Sequence, residues 1–82
     1  MSNVEIVQYF NGEEQRVRRT ARTIREVRWG IRSCTWGNGW GVKLRGAKEA
    51  LKAIGAERNA YNQWFFVADP KTNRIVDCEA VK

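Results

Sequence analysis

The chain has 82 residues, a 43% hydrophobic fraction and four tryptophans, enough for one modest core near the lower size limit of unstapled domains and too apolar for a disordered basic tail. Its net charge of +6 lies within residues 16–32, RVRRTARTIREVRWGIR, where seven arginines meet only Glu26 and the remainder of the chain is neutral. No apolar run approaches the ~18–20 residues of a membrane span, and no signal-peptide core follows Met1, so the expectation is a single soluble domain over residues 1–82, intracellular and cytoplasmic.

Val4–Phe10 is rich in β-branched and aromatic residues and predicts a strand. Two signals compete after it. Asn11-Gly12 is the favoured type I′ turn, which returns the following residues as a second strand. Asn11 followed by Glu13 and Glu14 also suits a helix start. Periodicity favours a helix over residues 13–26: Val17, Thr20, Ala21, Ile24 and Val27 fall on one side, and Arg18, Arg22 and Arg25 gather opposite. The hairpin remains the alternative.

From Val27 the pattern changes to period two. Val27, Trp29 and Ile31 alternate with Arg28, Gly30 and Arg32; beyond the Thr35–Gly39 loop, Trp40, Val42 and Leu44 alternate with Gly41, Lys43 and Arg45. These two runs predict a hairpin, with Arg28, Arg32, Lys43 and Arg45 sharing a face. A short amphipathic helix follows over residues 47–54, turning Ala47, Ala50, Leu51 and Ile54 inward and stopping at Gly55. Residues 63–68 and 74–80 flank the turn-rich Asp69-Pro70-Lys71-Thr72-Asn73 and predict a final hairpin. The expected fold is α+β, an antiparallel sheet with one or two helices in the order β-α-β-β-α-β-β.

Little in the sequence suggests catalysis. There is no histidine, so the commonest general base and metal ligand is missing. Cys34 and Cys78 stand far apart in the chain, do not form a zinc pattern, and are expected as reduced thiols. Asp69, Asp77 and Glu79 suit a turn and a solvated strand face. Gly37, Gly39 and Gly41 match neither the P-loop nor the dinucleotide spacing. The expectation is a protein that is not an enzyme, with no cofactor, metal or small-molecule substrate.

The arginines carry the functional signal. A solvated helix face normally mixes signs, whereas like charges at helical spacing repel by a few tenths of a kcal/mol per pair. Guanidinium forks suit phosphate and carboxylate and stack on flat rings. Arg18, Arg22 and Arg25 are therefore the leading candidates for contact with a polyanion, extended by Arg28, Arg32, Lys43 and Arg45. Trp29, Trp40 and Trp64 occupy apolar-alternating positions and are assigned to the core. Trp36, between Thr35 and Gly37, is the ring with most access to a partner, although a small core can also draw it inward.

The closing stretch, Gln63-Trp64-Phe65-Phe66-Val67-Ala68-Asp69 to Arg74-Ile75-Val76-Asp77-Cys78, resembles the terminal hairpin of small basic anti-CRISPR proteins of phages. That resemblance implies a non-catalytic α+β inhibitor that occupies a nucleic-acid-binding surface of a CRISPR effector complex. It carries over no functional residue, and the arginine segment matches no motif of that family. The combined reading is a small basic binding protein whose arginine-rich face engages nucleic acid or a nucleoprotein complex. The alternative is a phage-type inhibitor that blocks a host defence complex through protein contacts.

Overall fold

The computed structural model describes residues 3–81, with the side chains of Arg16, Val17 and Arg18 outside the description. Val4–Phe10 forms β1, and Glu13–Ala21 forms β2 antiparallel to it. Asn11 and Gly12 take φ values of 51° and 83° between them, the two left-handed residues of a type I′ turn, whose twist matches that of the strands it joins. Over Glu13–Ala21 the helix expected for residues 13–26 is thus corrected to a strand, the alternative that the Asn-Gly pair signalled, and only residues 24–26 of that range are helical. The misleading cue was broken alternation. Tyr9 pairs with Glu14 and Val7 with Arg18, so three residues of β2 stand opposite Gln8 alone, and a bulge of this kind interrupts simple period-two reading.

The helix begins later. Ile24–Arg32 forms α1, where a strand had been expected from Val27. Thr23 is its N-cap, with Oγ1 accepting the Glu26 N–H at 3.2 Å, while Glu26 Oε2 accepts the Arg22 N–H at 2.7 Å. This is a variant of the Thr-x-x-Glu capping box, in which both side chains satisfy otherwise orphaned backbone donors. Val27, Gly30 and Ile31 turn inward. Trp29 does not: it is 71% exposed, which corrects its assignment to the core.

The remaining elements are β3 (Trp40–Gly46), α2 (Lys48–Ala53), β4 (Glu57–Arg58), β5 (Trp64–Asp69) and β6 (Arg74–Ala80). They complete one six-stranded sheet in the order β2-β1-β3-β6-β5-β4. The α+β class stands, but the chain order is β-β-α-β-α-β-β-β. The sheet is mixed because β3 pairs with β6 in parallel. With residues 24–32 helical, β3 lacks the hairpin partner expected for it and lies between β1 and β6 instead. The α2 helix and the β5–β6 hairpin follow the sequence closely. Ala50, Leu51 and Ile54 are buried, and Asp69 Oδ1 accepts the Lys71 N–H at 2.9 Å within the connecting turn.

Both helices contribute to one core, built from Val4 and Ile6 of β1, Val27 and Ile31 of α1, Leu44, Leu51, Ile54, Trp64, Phe66 and Val76. Removing that apolar surface from water is the main force holding the layers together. The opposite sheet face carries Tyr9, Lys43, Arg45, Phe65, Asp77 and Glu79, which alternate with the core residues of their strands. Among the described residues, no helix is long and apolar enough to cross a membrane.

Candidate nucleic-acid interface

The fold divides the arginine segment among three places. Arg16, Arg18 and Arg19 belong to β2, Arg22 to the connection, and Arg25, Arg28 and Arg32 to α1. The single helical face expected for Arg18, Arg22 and Arg25 therefore does not form. The Arg18 side chain lies outside the described residues. Arg19 Nη1 donates to Ser33 Oγ at the end of α1, tying the edge strand to the helix.

A different face takes shape on α1. At 100° per residue, Arg25, Arg28, Trp29 and Arg32 fall within roughly 100° of arc, opposite the buried Val27, Gly30 and Ile31, and all four are exposed. Glu26 is engaged with the backbone at the helix start. The ion pairs among the described residues join Arg45 to Glu14 at 3.5 Å and to Glu79 at 3.4 Å; none involves Arg22, Arg25, Arg28 or Arg32. Arg22 and Arg25 also stand at the positive end of the helix dipole, where cations are unfavourable. The result is a concentrated cationic surface with a solvent-facing indole along one edge, midway along the helix.

Beside this face, α1 meets the β5–β6 turn in two depressions. One of about 350 Å³ is lined by Ile24, Arg28, Glu57, Val67, Pro70 and Asn73, among others. A smaller one of about 150 Å³ lies among Ile31, Arg32, Trp36, Asp69, Thr72 and Arg74. Trp36 is half-buried: its indole N–H donates to the Ile31 carbonyl at 3.1 Å, and the Arg74 guanidinium covers its ring at 4.4 Å. Trp36 thus supports the helix end, while Trp29 is the open ring. Arg74, at the start of β6, adds a fourth cation at the depression it shares with Arg32.

Lys43 and Arg45 do not join this surface. They alternate with the buried Val42 and Leu44 on β3 and so project from the other side of the sheet, which corrects the face they were expected to share with Arg28 and Arg32. Lys43 Nζ lies 5.5 Å from the Tyr9 ring centre. Arg45 Nη2 donates to the Tyr9 hydroxyl at 3.2 Å in addition to its two carboxylate contacts. Arg45 is held by the fold on every side that these groups occupy.

The two cysteines are unpaired. Burial pushes the Cys78 thiol up to about 12, reinforced by the Asp77 charge; burial also raises Cys34, against an opposing influence from Arg19. Both shifts disfavour the thiolate, the reactive form. Among the described residues, no group of three or more metal-ligating side chains is placed to hold an ion. The chain matches no protein-family model, and no curated protein or solved structure matches it.

The signal for α1 was present in the sequence as Thr23-Ile24-Arg25-Glu26. Read as a capping box, it places Trp29 among the arginines rather than in the core.

Proposed function

We propose that this is a non-enzymatic binding protein that holds nucleic acid, free or within a cytoplasmic nucleoprotein complex, against the outer face of α1. The observation that carries the reading is the grouping of Arg25, Arg28 and Arg32 beside the exposed Trp29, without ion-pair partners among the described residues. Like charges spaced i, i+3 and i+7 cost helix stability, and a polyanion relieves that repulsion. Each phosphate neutralised also releases condensed counterion, so binding falls steeply with salt. The test is the affinity of labelled oligonucleotides across a salt series. Replacing Arg25, Arg28 and Arg32 together by alanine should flatten the log–log slope by about 2–3 units and weaken all sequences alike. Circular dichroism should be unchanged, because alanine favours helix and the substitutions relieve repulsion. A folded triple variant that binds as the parent does would overturn the proposal.

A second reading is supported by Trp29 itself. A solvent-facing tryptophan beside several arginines has the composition of a protein-interface hot spot, as a phage-type inhibitor acting through protein contacts on a host defence complex would use. Recovery of a stoichiometric protein partner from bacterial lysate after nuclease treatment supports this reading; loss of every partner supports direct nucleic-acid binding.

A further inference from the structure

We infer that the α1 face takes unpaired nucleotides, DNA or RNA, with Trp29 as the platform on which a base stacks; this rests on the nucleic-acid reading of the same face. The ring is 71% exposed on a helix whose opposite side is fully packed. In a duplex, the flat faces of the bases are covered by their neighbours, and direct readout uses hydrogen-bonding side chains in the grooves. An indole exposed on the contact surface finds no such partner there. A single strand presents both things this surface can hold, a base face for the ring and phosphates for the cations beside it.

The layout suits a strand running along the helix. Arg25 and Arg32 lie seven residues apart, roughly 10 Å along the axis, with Trp29 between them. Arg74 lines the smaller depression together with Arg32, held over the Trp36 ring at 4.4 Å. The depressions beside Arg28 and Arg32 give the strand relief on the side toward the β5–β6 turn. Because Trp36 is hydrogen-bonded, half-buried and covered by Arg74, stacking on this face falls to Trp29 and not to Trp36. One platform and a short run of cations describe a small site with little sequence preference.

The experiment compares the parent with Trp29→Ala and Trp29→Phe, using one mixed-sequence oligonucleotide as single-stranded DNA, single-stranded RNA and duplex, by fluorescence anisotropy over a salt series. The parent should bind single strands at least about ten times more tightly than duplex. Trp29→Ala should weaken single-strand binding by about 5- to 150-fold, the range that loss of one base–aromatic stack gives. It should leave duplex binding within about twofold and the salt slope unchanged, since no charge is removed. Trp29→Phe should recover most of the loss. Equal losses on single strand and duplex, or no loss on either, would overturn the stacking inference. If the triple arginine variant then fails to bind while Trp29→Ala binds normally, phosphate binding stands and stacking alone has failed. Absence of nucleic-acid binding by the parent overturns both.

Discussion

Residues of one type are put to different uses in this chain, and the two cysteines and four tryptophans show how context decides. Trp64 is 8% exposed in the core, Trp40 stacks at a tilt on Phe10 with ring centres 4.7 Å apart, Trp36 braces the end of α1, and Trp29 faces solvent. Alternation alone treats Trp29, Trp40 and Trp64 as equivalent, because period two and period 3.6 agree over a few residues and then diverge. The thiols differ by degree of burial in the same way. The Cys78 thiol is raised from 9.0 to about 12, mainly by burial. Its folded value lies above its unfolded one, so the folded chain holds a proton that the unfolded chain has lost between those limits. The neutral thiol's contribution to stability is fully present below about pH 9 and is lost as pH rises towards 12. Urea denaturation at pH 8 and pH 10.5 should therefore show a smaller alkaline loss for Cys78→Ala than for the parent. An equal loss in both proteins would assign the alkaline sensitivity to other groups.

At the scale of elements, α1 approaches β1 closely at Gly30. Gly30 packs against β1 so tightly that an added Cβ would collide with Ile6 Cδ1. Alanine is worth up to about 1 kcal/mol over glycine in a helix interior, but overpacking a buried site costs about 1–3 kcal/mol. Gly30→Ala should thus destabilise the fold by about 1 kcal/mol. Ile6→Val, which removes the colliding methyl, should cost about 0.5–1.5 kcal/mol alone and much less when combined with Gly30→Ala. Additive losses in the double variant, measured by urea denaturation, would show that the helix seats itself some other way. This tertiary fit is also why the first half of the chain was hard to read. The β5–β6 hairpin and α2 declare themselves through local features: a turn-rich connector between alternating strands, and inward residues at positions 47, 50, 51 and 54 followed by Gly55. Residues 13–32 carry opposing local cues. A bulge in β2 spoils its alternation, while Val27, Trp29 and Ile31 imitate a strand inside a helix. The capping box and the Asn-Gly turn resolve the conflict, but only when given more weight than periodicity. The arginine and tryptophan grouping became visible only once α1 was placed, because the strand reading put Trp29 on the side away from Arg28 and Arg32.

For the whole molecule, the question is whether the excess of positive charge acts as a general field or through one face. The α1 cations and Lys43 stand on opposite sides of a body whose principal extents are 30 × 26 × 24 Å. At physiological ionic strength the screening length is about 8 Å, so Lys43 contributes little to a phosphate held against α1. Arg28→Ala and Lys43→Ala remove the same formal charge and provide the comparison. At 0.15 M salt, Arg28→Ala should weaken oligonucleotide binding severalfold and lower the salt slope by about 0.7–0.9, the loss of one phosphate contact. Lys43→Ala should change affinity less than about twofold, with the slope unaltered, since a charge more than a Debye length from the bound strand is largely screened. Arg45 is a poorer control, because its contacts with Glu14, Glu79 and Tyr9 tie it to the fold. Lowering salt to 0.01 M extends the screening length to about 30 Å, and Lys43→Ala should then begin to weaken binding as the field of the whole protein is felt. Equal effects of the two substitutions at 0.15 M would mean that net charge, and no particular face, attracts the polyanion; a difference that narrows only as salt is removed locates the contact on α1.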